Sequence, residues 1–197
     1  MSAAASFNVK GLVYRGTREF YDKRLEGGLD ALRRELVDPE LVRFWEQAFS
    51  PGAWYDLYPL MSINQAAARI AGVPYTTLVT ENAAYIAERD INGVYRLLLK
   101  LATPELVASK LPRASLQYLD FGEAEGRLVG EKKFWAVQRR VPASFAAWMT
   151  ASVQGFAPKA LALAGARHVE IQTRSVSQAA ESEEARTVEL THEVTWR

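Results

Sequence analysis

The sequence predicts an α+β domain, helical through its first half and closing on an antiparallel sheet whose C-terminal hairpin packs against helices. Three observations predict it. Apolar residues recur at helical spacing through residues 29–90, whereas residues 127–140 and 168–196 alternate with the period of strands. A long helical pattern from about Ala143 separates those two alternating stretches. The chain has 197 residues, 49% of them apolar and 24% charged, which suits one domain with a sizeable core. Residues 1–5 are expected to form a mobile tail and residues 6–197 a single globular domain.

FNVKGLVY (7–14) fits a strand or an irregular lead-in. Leu29, Leu32 and Leu36 then mark one helical stripe. In DPEL (38–41), Asp38 can cap the free amides of a helix and Pro39 suits its first turn. Leu41, Phe44, Trp45, Ala48 and Phe49 extend that helix to a stop at Pro51-Gly52. Ser62 and Gln65 have the spacing of a capping box, opening a helix that ends near Gly72. Residues 75–90 form the next helix, with Tyr75, Val79, Asn82 and Ile86 on one face. Asn92-Gly93 breaks it, and VYRLLLKL (94–101) resumes with Val94, Leu97, Leu98 and Leu101 inward. TPEL (103–106) repeats the cap-and-proline device. Residues 127–140 read as a strand with Leu128, Phe134 and Ala136 on one face. The helix from about Ala143 carries Phe145, Trp148, Met149, Ser152 and Phe156, with Gly155 and Pro158 expected to bend or split it. Residues 168–177 and 185–196 form a hairpin around the acidic loop AAESEE, and Val188, Leu190, Val194 and Trp196 share one face of its last strand.

The composition excludes several chemistries. With 24 basic and 23 acidic residues, the net charge of +1 argues against nucleic acid as a partner. The basic doublets at 33–34, 132–133 and 139–140 are isolated. No cysteine is present, so disulfides, thiolate nucleophiles and Cys-ligated metals are ruled out. MSAAAS is not a signal sequence, and no apolar run reaches the roughly 18 residues of a membrane span, so a cytoplasmic location is expected. Neither phosphate-binding glycine pattern occurs, nor a calcium loop. His168 and His192 are the only histidines. His192 lies on the apolar face of the last strand and reads as a core histidine, and His168 reads as a surface one. No acid–base or metal-ligand constellation accompanies either, so the expectation is a non-enzymatic protein with no metal and no cofactor.

The aromatic residues are the most informative group, because Tyr and Trp pair large apolar area with a polar tip and so suit pocket rims, interfaces and core edges alike. Trp54, Tyr58, Tyr95 and Trp148 are the candidate lining of an apolar pocket between sheet and helices. Tyr55 is the candidate for a contact surface, with Arg96 and Lys100, which lie four apart on the polar face of 94–101 and suit either solvent or an acidic partner.

FNVKGLVYRG near the start, NGVYRLLLKLATPELVASKLPRASLQYLDFG (92–122) and AWMTASVQGFAPKALALAGARHVEIQTR (147–174) resemble a family of uncharacterised myxobacterial paralogues. The order of elements also resembles the superfamily of vinyl-reductase-like sensor domains, haem-associated nitric-oxide-binding domains and vesicle-tethering subunits. That resemblance implies an antiparallel sheet packed on helices, dimerisation through helices, and an apolar ligand or lipid chain in the core. The cysteines of the sensor branch are missing from SVSQAAESEEARTVELTHEV (175–194), so no metal role carries over. The histidine and the Tyr-x-Ser-x-Arg signature of the haem-binding branch are not evident either. Two functions are therefore expected: a module that senses or carries a small apolar ligand, or a homodimeric adaptor that binds another protein in a regulatory or motility complex.

Overall fold

The computed structural model describes residues 7–91, 102–177 and 186–197. The expected tail, the segment 92–101 and the acidic loop lie outside them. Strand β1 (Asn8–Lys10) leads directly into helix α1 (Gly11–Arg24), followed by α2 (Gly28–Glu35) and α3 (Pro39–Glu46). Strand β2 (Trp54–Asp56) pairs antiparallel with β1, and α4 (Tyr58–Ala71) and α5 (Tyr75–Asp90) follow. The second half consists of α6 (Pro104–Ser115), β3 (Glu123–Gly130), β4 (Lys133–Pro142), a short 3-10 turn at Ala143–Phe145, α7 (Ala146–Leu163), β5 (Glu170–Ser177) and β6 (Thr187–Thr195). The four later strands form one antiparallel sheet in the order β3-β4-β6-β5. The α+β class with its C-terminal hairpin is thus the observed one.

Local chemistry explains most element boundaries. Asp38 Oδ1 accepts from the Glu40 amide at 2.8 Å, and Thr103 Oγ1 accepts from the Leu106 amide at 3.3 Å, so both cap-and-proline starts form as expected. Helix α4 begins four residues before the supposed capping box. Asp56 Oδ1 accepts from the Tyr58 amide at 2.9 Å and Pro59 occupies the first turn, leaving Ser62 inside the helix. It stops at Gly72, whose φ of +64° closes the last turn in the left-handed region.

Four other expectations are corrected. Helix α1 is concealed in the sequence because its buried face is Gly11, Tyr14, Gly16, Thr17, Phe20 and Tyr21 rather than an aliphatic stripe. Helix α3 ends at Glu46, so Ala48 is exposed and Phe49 reaches the core from an irregular segment. Residues 127–140 are two strands rather than one. The pair Gly130 and Lys133 closes a turn in which Lys132 takes a φ of +53°, and this folds Leu128 back opposite Phe134. Pro158 sits inside α7, which runs unbroken to Leu163.

The sheet has two unlike faces. Its outer face is laced with charge: Arg139 bridges Glu125 at 2.7 Å and Glu189 at 2.9 Å, and Glu193 accepts from Lys133 at 2.8 Å and from the Trp135 indole at 2.9 Å. Its inner face carries Phe134, Val188, Leu190, His192 and Val194 against α6 and α7. Helix α7 in turn packs on α5 with no space to spare. A Cβ on Gly155 would stand 2.2 Å from the Thr80 carbonyl oxygen and 2.9 Å from Ala83 Cβ. The buried apolar residues form two clusters, a large one centred on α1–α5 and a smaller one between the sheet and α6–α7.

Candidate ligand cavity

Between the second cluster and α5 the packing opens into a cavity of about 230 Å³. Small residues on facing elements create it. Ala83 on α5, Ala108 and Ala114 on α6, Ala157 on α7 and Ala136 on β4 all line the wall, and Gly126 lies beside Ala136 in the sheet. Interiors normally oppose small residues to large ones, so a wall with alanines on four elements leaves a void. Larger side chains define its limits: Phe134 and Val194 from the sheet, Trp148, Met149 and Phe156 from α7, and Leu111 and Tyr118 from α6 and the residues after it. Leu111, Ser115, Tyr118, Val153 and Phe156 are only half-buried, which places the mouth between α6 and α7. No Asp, Glu, Lys or Arg lines the cavity among the described residues.

One polar chain reaches this wall. His192, with no exposure, faces Gln138 through Nε2 at 3.0 Å and Thr173 through Nδ1 at 2.9 Å. Gln138 reaches on to Met149 Sδ at 3.4 Å. The sulfur can only accept, so Gln138 gives it an N–H and turns Oε1 toward His192. His192 must then carry its proton on Nε2 and accept at Nδ1 from the Thr173 hydroxyl. The sheet register supports this arrangement, since Ala136, His192 and Thr173 are direct cross-strand partners. Burial lowers the His192 pKa from 6.5 to about 4, so the imidazole is neutral at ordinary pH.

Trp148, proposed from the sequence as a lining residue, is buried and forms part of this wall. Trp54 and Tyr58 stand apart from it. The pleat of β2 turns Trp54 outward, 43% exposed, with Lys10 Nζ 3.7 Å above its ring. Tyr58 opens α4, 45% exposed, and its ring packs on Phe145 at 4.8 Å and Phe7 at 6.3 Å. Tyr55, proposed as a contact residue, points inward from β2. Its ring meets Phe49 at 4.9 Å, and its hydroxyl accepts from the Ser50 amide at 2.9 Å. Tyr95, Arg96 and Lys100 lie outside the described residues. Sequence reading missed Gln138, Met149 and the alanines. Inward-facing alanines at several helical positions were the available signal, but which of them face one another depends on the tertiary arrangement.

No protein-family model matches the chain, and no curated protein matches it in sequence. Solved structures do match in shape. The unliganded Fe(II) form of an H-NOX protein mutant from K. algicida superposes with a TM-score of 0.66 at 10% identity, covering 95% of this chain and 96% of that one. This decides the architecture. The chain has the H-NOX fold. An H-NOX protein from S. oneidensis in the Fe(II)NO ligation state gives 0.65 at 10% identity, covering 95% and 99%. An oxygen-binding H-NOX domain related to soluble guanylate cyclases gives 0.63 at 10% identity, covering 95% and 92%. At this identity the likeness concerns the H-NOX fold alone.

Proposed function

We propose that the chain is a non-enzymatic sensing or carrier module that binds a small apolar molecule in the cavity between α5, α6, α7 and the sheet. The observation that carries this reading is a hollow of about 230 Å³ walled almost wholly by carbon. Apolar cavities of about 150 Å³ already stay dry and take up benzene. Among the H-NOX neighbours are an oxygen-binding domain and a protein in an Fe(II)NO ligation state, which makes binding a small molecule a use to which this fold is put.

Haem is the group that those neighbours suggest, and the described residues do not fit it. The cavity is smaller than the roughly 300–1,000 Å³ of pockets for drug-sized ligands, and haem is larger than most of those. Both nitrogens of His192 and the sulfur of Met149 are already engaged by hydrogen bonds, and His168 lies exposed on a turn with a φ of +49°. Among the described residues, no cationic side chain on the wall stands ready for the propionates.

The test is a calorimetric titration with indane, a compact bicyclic hydrocarbon. Saturable one-to-one binding is expected, and it should be lost in Ala108→Leu, which fills the cavity from α6. Binding that is absent, or unaltered by Ala108→Leu, contradicts the reading.

A further inference from the structure

Among the described wall residues of the proposed pocket, Gln138 carries a donor that is both fixed in place and poorly used. Its carbonyl is held by His192, which is held by Thr173, so the side-chain amide cannot turn away. Its N–H, however, is spent on a thioether sulfur 3.4 Å away, and sulfur is a weak acceptor. The hydroxyl of Ser115, also on the wall, donates instead to the Pro112 carbonyl at 2.7 Å. A pocket with apolar walls and one preorganised polar group takes apolar ligands that satisfy that group. With no counter-charge among the described wall residues, a carboxylate or ammonium would find no partner there, which favours a neutral ligand.

We infer that the ligand is a neutral, compact molecule bearing one acceptor oxygen, a ketone, aldehyde or ether, and that this oxygen takes the Gln138 N–H from Met149. The inference rests on the pocket reading above. By proportion to the benzene-sized cavity, about 230 Å³ holds roughly nine non-hydrogen atoms. Ligand entry then exchanges an N–H···S contact for an N–H···O bond, while Thr173, His192 and the Gln138 carbonyl keep the partners they have.

Indane and 1-indanone differ by this one oxygen and separate the possibilities. In titrations, the ratio of 1-indanone to indane affinity is expected to fall about fivefold in Gln138→Leu. It should rise in Met149→Leu, where the amide donor loses its competing acceptor in a volume-conserving substitution. The carbonyl stretch of bound 1-indanone should sit at lower frequency in the wild type than in Gln138→Leu. Met149→Leu keeps the test decisive should Gln138→Leu fold poorly. Indane binding with a ratio unchanged in the variants overturns the assignment of Gln138 and leaves the pocket standing. Binding of neither compound overturns the pocket itself, and this inference with it.

Discussion

Around Tyr14 the core is filled ring to ring. Phe49 stacks on it at 4.5 Å and 7°, and Phe44 and Tyr55 close on its edges at 5.4 and 6.2 Å. Around Met149 the opposite holds, because alanines from three helices and a strand leave about 230 Å³ unfilled. Counted as a fully enclosed void, at roughly 24 cal/mol per Å³, it would forgo at most about 5 kcal/mol of packing, and its mouth between α6 and α7 lowers that figure. That is a large share of the roughly 5–15 kcal/mol by which a domain is stable. A chain with 21 aromatic residues does not lack side chains to fill space (8 Phe, 8 Tyr, 5 Trp). The contrast teaches that the hollow comes from where small residues were placed, and that a ligand completing the packing would recover part of this deficit.

The largest expected effect breaks the filled region alone. Phe49→Ala removes a ring that touches Tyr14, Phe44, Trp45 and Tyr55, and it should cost about 3–5 kcal/mol in urea unfolding. Indane affinity should not change. If both fall together, the two regions are not independent.

The next effect belongs to the cavity wall. His192 has a folded-state pKa of about 4 against 6.5 when unfolded, so the unfolded chain binds the extra proton between those values. Stability from this group is therefore fully present above about pH 6.5 and is lost as pH falls toward 4, by about 3 kcal/mol in all. Unfolding free energies measured across that window should show a limb that His192→Gln flattens. An identical slope in the variant would mean that the imidazole is not buried as described.

The smallest effect concerns the exposed aromatic junction. Trp54 contributes a cation–π contact to Lys10 at the surface, and contacts of that kind are worth about 0.5–1 kcal/mol. Trp54→Ala should lower stability by no more than that and leave indane binding intact. Loss of binding in this variant would return the junction to the site.

The sequence carried the fold where the chemistry is local. Asp38-Pro39 and Thr103-Pro104 announce their helices because capping is settled within four residues. The strict alternation of β6, with Val188, Leu190 and Val194 all inward, marks a strand buried on one face. It failed where tertiary contacts decide. Helix α1 buries tyrosines and glycines that no hydrophobic count registers, and Phe49 reaches the core without a helix to carry it. The site was legible in part. Trp148 could be proposed as a large amphipathic ring, but Gln138 and Met149 lie eleven residues apart on different elements and meet only once α7 packs against the sheet.

Central to this account is an accessible apolar hollow between α5, α6, α7 and β4. Crystals pressurised with xenon test it most directly, since xenon enters dry apolar cavities. A xenon peak among Ala108, Ala136, Met149 and Phe156 is the predicted result. A structure in which Phe134 and Phe156 close that space, with xenon bound elsewhere or not at all, would contradict it.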